Sequence, residues 1–224
     1  WKNLKNLRYA DYCEKTDFLA YLEKGMFDEH KFNAVLHLGA CSSTTETDAS
    51  YLIKNNFEFS KTLALWAKSR RARFIYASSA ATYGDGERGF VDQVEDIETL
   101  QPLNMYGYSK QMFDLWLKRQ GLLDQMVGLK FFNVFGPNEY HKGSMRSFIL
   151  KSFEQIRATG AVQLFKSHRP DYKDGEQLRD FIYVKDAVNM ALHFLDRKDG
   201  GLFNIATGTT RSWNDLVTAT FKAM

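Results

Sequence analysis

Three apolar runs constrain the fold more than any other feature. They are residues 34–40 (Ala-Val-Leu-His-Leu-Gly-Ala), 74–79 (Phe-Ile-Tyr-Ala-Ser-Ser) and 127–132 (Val-Gly-Leu-Lys-Phe-Phe), each bounded by polar residues. Runs this short, with little polar alternation, read as strands buried on both faces. Helical spacing fills the gaps: residues 49–70 read as one long helix, and a second follows Pro102 and ends at Gly121. A further strand is expected at 202–205, with helices at 186–195 and from Trp213 onward, the last capped by Ser212. A strand–helix alternation of this kind specifies an α/β fold, a Rossmann-like doubly wound parallel sheet with helices on both faces. The remaining stretches predict a short strand at 7–12, a helix from Asp17 to Lys24, a helix at about 145–158 capped by Ser144, and a short strand at 162–165.

Within that frame, Tyr106-Gly107-Tyr108-Ser109-Lys110 opens the second long helix. Residues four apart share a helix face, so the phenol of Tyr106 and the ammonium of Lys110 address one site, while Tyr108 lies on another face. A tyrosine titrates near 10 when unperturbed, and an adjacent cation favours its phenolate. Such a pair can remove a proton from an alcohol while another group takes the hydride. The second run ends in Ser78-Ser79-Ala80-Ala81-Thr82-Tyr83-Gly84. Open α/β sheets place their ligands at strand C-termini, so a serine there can bond the hydroxyl that Tyr106 deprotonates.

Other residues read in two ways. The Gly39-Ala40-Cys41-Ser42 turn is small enough for a ligand to reach its backbone. His37 reads first as a core histidine and second as a catalytic one. Cys41 reads as a packing residue, because no histidine stands at a suitable spacing. Lys15 is a solvated lysine or a ligand contact. One of Asn55 and Asn56, poor helix formers in mid-helix, faces a ligand or a strand end, or both are exposed. Lys142 beside the Ser144 cap is an anion site or a surface lysine. Arg179 grips a diphosphate or pairs with Asp180 or another acid.

With 44% hydrophobic and 25% charged residues and a net charge of +3, the chain is a globular protein whose scattered basic residues exclude a nucleic-acid stripe. No apolar run reaches the length of a membrane span. Two cysteines, Cys13 and Cys41, exclude a disulfide framework and point to a reducing compartment. The chain opens at Trp1 and stops at Met224 inside an amphipathic pattern, so both ends read as cut.

Taken together, residues 39–46, 77–84, 106–110, 132–137, 141–145 and 179–181 resemble one family over essentially the whole chain. It is the ADP-L-glycero-D-manno-heptose 6-epimerases, extended short-chain dehydrogenases/reductases. The Tyr-x-x-x-Lys and Ser-Ala-Ala-Thr-Tyr-Gly motifs are shared with other nucleotide-sugar enzymes; Ala-Cys-Ser-Ser-Thr-Thr-Glu and His-Lys-Gly-Ser-Met are particular to the heptose enzymes.

The resemblance implies inversion at C6 of ADP-D-glycero-D-manno-heptose through a transient 6-ketone, with tightly bound NADP, or NAD as the alternative. The product feeds lipopolysaccharide inner-core synthesis. It implies Tyr106 and Lys142 as acid/bases on opposite faces of the carbon, Ser79 orienting the hydroxyl, and Lys110 holding the cofactor ribose. Lys15, Leu38, Gly39, Ala40, Cys41, Ser42, Asn55, Lys110, Val134 and Lys142 match cofactor contacts. Ser79, Asn133, Ser144, Lys151, Phe165, Lys166, Ser167, His168 and Arg179 match substrate contacts. It also implies no metal, a cytoplasmic location and a homo-oligomer, often a pentamer. A cofactor-binding part would span 1–131 and 182–208, and a smaller substrate-binding lobe 132–181 and 209–224.

Two departures stand out: the Gly-rich β-α-β unit that opens the family is absent, and so is its last portion. Lys151 stands where the family often has His. Other readings are a different nucleotide-sugar epimerase, a dehydratase (which usually carries an acidic pair where Ala80-Ala81 stand), or a non-catalytic binding protein of the same fold.

Overall fold

The computed structural model describes residues 2–168 and 170–224. Among them, seven strands form two sheets: β1 (Ala34–His37), β2 (Arg73–Ser79), β3 (Val127–Phe131), β4 (Asn133–Phe135), β5 (Leu178–Tyr183), β6 (Gly201–Ile205) and β7 (Thr210–Ser212). The main sheet has the order β1-β2-β3-β6 and is parallel throughout. In the smaller sheet β5 pairs in parallel with β4 and antiparallel with β7.

The helices are α1 (Lys15–Glu23), α2 (Ala49–Leu52), α3 (Phe59–Ser69), α4 (Met105–Arg119), α5 (Phe148–Thr159), α6 (Val184–His193) and α7 (Trp213–Ala223). A π-helical segment, Ile53–Glu58, joins α2 to α3, so the single helix expected over 49–70 forms with a widened turn inside it.

Strand alternation places two cores, one on each face of the main sheet. Phe74 and Tyr76 of β2 pack with Leu63 and Ala67 of α3 and with Phe113 and Leu117 of α4. Ile75, between them, turns the other way and joins Val127, Leu129 and Ile205 beneath Ala187 and Ala191 of α6. Burial on both faces is why β2 and β3 read as apolar runs, whereas β1 departs from that expectation, with Leu36 exposed on one face. Gly128 is an exception with a use: a Cβ there would lie 2.5 Å from the Tyr76 hydroxyl, so only glycine leaves the phenol room.

His37 is a core histidine. It is 7% exposed, and its Nε2 lies 2.8 Å from Ser60 Oγ. The Ser60 hydroxyl already donates to Asn56 O at 2.6 Å, so the histidine donates and Ser60 accepts. Desolvation, aided by the charge of Lys110, pushes the imidazole down to about 4. The unfolded chain therefore binds more protons than the folded one between pH 4 and 6.5. Stability from this group is complete above 6.5 and is lost as pH falls toward 4, by up to about 3 kcal/mol. Denaturant titrations across that window should show the loss in the native chain and a shallower one in His37→Phe.

Four local expectations change. No strand forms at 7–12, where the chain is exposed and meets no strand edge. None forms at 162–165 either, because Phe165 turns its ring to Phe148 and Trp213, at 5.2 Å from each, rather than joining a ladder. The helix expected from 145 starts at Phe148, and its N-cap is Ser147, whose Oγ accepts from Leu150 N–H at 3.3 Å. Ser144 instead sits in a short 3-10 segment, Tyr140–Met145. Strands β4, β5 and β7 lie outside the expected ones. Among the described residues, no helix is long and apolar enough to cross a membrane, and no cluster of metal-binding side chains occurs.

Candidate active site

The C-terminal end of β2 and the first turns of α4 build the centre of the site. Asn104 caps α4 by accepting from Gly107 N–H at 2.8 Å. A Cβ on Gly107 would lie 2.8 Å from Ala81 O and 2.9 Å from Pro102 Cβ, so this glycine lets the helix rest against the turn that follows Ser79. That turn is a 3-10 segment, Ala80–Tyr83, capped by Ser79, whose Oγ accepts from Ala81 N–H at 3.1 Å.

The Ser79 proton is thus left for another acceptor, and the Ser79 side chain favours the ionised form of the Tyr106 phenol. Lys110, one turn along, donates to Ala77 O at 2.9 Å. Tyr106 and Lys110 are both buried. Ser79, Tyr106 and Lys110 therefore occupy one site, as the spacing predicts.

The electrostatics differ from expectation. Burial pushes the Tyr106 phenol up, opposed by the Ser79 hydrogen bond. Lys110, tied to a carbonyl, does not reverse that. Burial in turn pulls Lys110 down to about 8, opposed by Asp114. The desolvation that excludes water thus acts against both charged forms at once.

A second group surrounds the loop after β1. The wide turn in the π-helical segment aims Asn56 inward, where it is 1% exposed. Its amide accepts from Cys41 N–H at 2.8 Å, and donates to Cys41 O and to Ser109 Oγ, each at 2.9 Å. It fastens the Leu38–Ser42 loop to the helix turn between Tyr106 and Lys110. Asn55 faces outward, bonding Lys15 and Tyr51 O. Leu38 is exposed, and a Cβ on Gly39 would meet nothing within 4 Å. Of the two asparagines, Asn56 reaches the strand end.

Lys142 is exposed at the centre of the 3-10 segment Tyr140–Met145. Buried Glu139 closes that segment at both ends, accepting from Gly136 N–H (3.1 Å), Ser147 N–H (2.6 Å) and Ser147 Oγ–H (2.8 Å). Ser144 is exposed and its carbonyl accepts from Lys151 Nζ at 2.6 Å. Asn133 donates to Asp180 O at 3.1 Å, next to half-buried Val134.

Phe165 joins an aromatic group with Phe148 and Trp213, and the Arg179 guanidinium lies 5.9 Å from the Trp213 ring. Arg179 does not pair with Asp180, whose carboxylate accepts from Thr207 and Thr209 instead. Lys166 and His168 are exposed beside Ser167, whose N–H donates to Asp174 at 2.7 Å. Sequence reasoning passed over Glu139 and Trp213; the first acts through backbone groups and the second across a long separation, and neither leaves a local pattern.

A parallel sheet with a serine at a central strand end and Tyr-x-x-x-Lys at the head of α4 is the arrangement of a short-chain dehydrogenase-type enzyme. The family model for the NAD dependent epimerase/dehydratase family matches residues 2–206, and the chain belongs to that family and, within it, to the ADP-L-glycero-D-manno-heptose-6-epimerases. The epimerase of that name from Nitratidesulfovibrio vulgaris (strain DP4) is 54% identical over 100% of this chain and 69% of its own length. The one from Fusobacterium nucleatum is 47% identical over 100% of this chain and 68% of its own. The crystal structure of the Helicobacter pylori enzyme superposes with a TM-score of 0.77 at 29% identity, covering 90% of this chain and 61% of that one.

Proposed function

We propose that this chain carries the catalytic centre of an epimerase that inverts C6 of ADP-D-glycero-D-manno-heptose, giving ADP-L-glycero-D-manno-heptose. The observation that carries the chemistry is the meeting of Ser79, Tyr106 and Lys110 at the end of β2. The substrate rests on the relatives' shared name.

The open backbone at Gly39, held in place by Asn56, fits a ligand lying against the loop, so Lys15, Leu38–Ser42, Asn55, Lys110 and Val134 would hold a nicotinamide cofactor. That cofactor supplies the hydride acceptor and donor at C6. NADP is the form proposed.

Tyr106 takes and returns the hydroxyl proton on one face of C6, with Ser79 orienting the oxygen. Lys142 serves the other face, since inversion needs a proton carrier on each. Asn133, Ser144, Lys151, residues 165–168 and Arg179 would hold the ADP-sugar; the Arg179 fork suits its diphosphate and the neighbouring aromatic rings its base. The division into a cofactor-binding part (1–131, 182–208) and a substrate lobe (132–181, 209–224), a homo-oligomeric (pentameric) assembly, a cytoplasmic setting and a role in lipopolysaccharide precursor synthesis belong to the same reading.

A proton NMR time course with full-length protein, NADP and ADP-D-glycero-D-manno-heptose tests it. Conversion at C6 without net NADPH is expected. NADPH accumulating without a C6 epimer would make the protein a dehydrogenase, and an inert heptose would point to another sugar nucleotide.

A further inference from the structure

One buried charged residue near the site has no part in the chemistry above. Asp114 lies on α4 one turn beyond Lys110 and is 1% exposed. Its carboxylate accepts from the Tyr76 hydroxyl at 2.8 Å and from Ser78 Oγ–H at 2.7 Å, both on β2. Lys130 of β3, also 1% exposed, stands 3.5 Å away. Lys130 in turn donates to Thr82 Oγ1 at 2.5 Å and lies 4.6 Å from the Tyr83 ring, and Thr82 Oγ1 donates to Ser79 O at 2.8 Å. The carboxylate thus holds the residue before Ser79 directly, and Lys130 holds the turn after it.

We propose that Asp114 is a positioning residue of this site, fixing the Ser79 end of β2 against α4 and acting on Lys110, one turn away on the same helix face. The proposal rests on the roles given to Ser79, Tyr106 and Lys110 above. It supplies what burial takes away. Lys110 stands four residues after Tyr106 and four before Asp114 on α4, it acts electrostatically on His37 of β1, and Asp114 and Cys41 of the loop after β1 act on it. The histidine is neutral above about 4, which leaves Asp114 as the charge that sustains the ammonium. Asp114 itself faces Lys130, Tyr76 and Tyr83, and Asp92 acts on Lys130 and Tyr83 from the loop outside.

The test is the pH dependence of kcat for epimerisation by the full chain with its nicotinamide cofactor, in native protein, Asp114→Asn, and Asp114→Asn with Lys130→Met. The double variant removes both buried charges, so neither is left unpaired. Without the carboxylate Lys110 loses its proton at lower pH, so the alkaline limb should move down by about one pH unit or more, with KM unchanged. A merely structural role would lower kcat and leave the limb in place; that result, a native-like profile, or a double variant that does not fold would overturn the proposal.

If the native protein leaves the heptose unchanged, the functional reading fails and the proposal is judged separately by NMR titration of the Lys110 ammonium. A midpoint near 8 in native protein and lower in the double variant supports it, and equal midpoints overturn it.

Discussion

A Tyr106→Phe variant should turn over roughly 10²–10⁴-fold more slowly than the native protein, the range that a positioned proton carrier contributes. The phenol oxygen is the atom removed. Its ionised form is favoured by Ser79 at the end of β2, and the ring around it is buried. Phenylalanine keeps the ring, so α4 should still pack on the Ser79 turn. The lost hydrogen bond should cost about 1 kcal/mol of stability or less, because the burial penalty on the hydroxyl goes with it. Substrate affinity should change little, since the diphosphate and base are assigned to Arg179 and the aromatic group. Steady-state kinetics and thermal unfolding, measured side by side, check this. Native-like kcat would remove Tyr106 from the chemistry, and loss of the fold would make the variant uninformative about catalysis.

The largest effect on stability should come from Lys130→Met. Lys130 and Asp114 form an ion pair that is 1% exposed on both sides. Taking the lysine away leaves a carboxylate in a dry interior with only the Tyr76 and Ser78 hydroxyls to satisfy it. Breaking such a pair costs about 3–5 kcal/mol, a large share of a typical domain's total. Adding Asp114→Asn removes the stranded charge while retaining hydrogen-bonding capacity, so the double variant should recover most of the loss. Chemical denaturation of both variants checks the sign of the difference. A double variant less stable than Lys130→Met would show that the pair's worth lies in hydrogen bonds rather than charge.

What was legible in the sequence divides along the range of the interactions involved. Strands buried on both faces, β2 and β3, announce themselves as apolar runs, and β1, β2, β3 and β6 fall on the expected stretches to within a residue. The Tyr106–Lys110 pair and Ser79 are set by a helix turn and a strand end, both local, so they could be placed together. Asp114 was legible by the same rule, one turn past Lys110, but its meaning depends on Lys130, Tyr76 and Ser78 arriving from other strands. Asn56 needed the π-helical turn to face inward, and regular helix spacing does not show one. Ser144 reads as a cap because it precedes apolar Met145, but Ser147 also precedes an apolar residue, and Glu139 holds Ser147 in place as the cap. The upward push of burial on Tyr106 is not visible in the sequence, because spacing gives adjacency while burial sets the cost of charge.

The central claim is that Tyr106 and its neighbours move the hydroxyl proton while the C6 hydrogen travels as hydride and never meets solvent. Epimerisation in D₂O, with mass spectrometric and NMR analysis of the product, tests it most directly. The account predicts ADP-L-glycero-D-manno-heptose with protium retained at C6. Deuterium at C6 would show removal of that hydrogen as a proton, and would contradict the assignment of Ser79, Tyr106 and Lys110 to oxidation and reduction at that carbon.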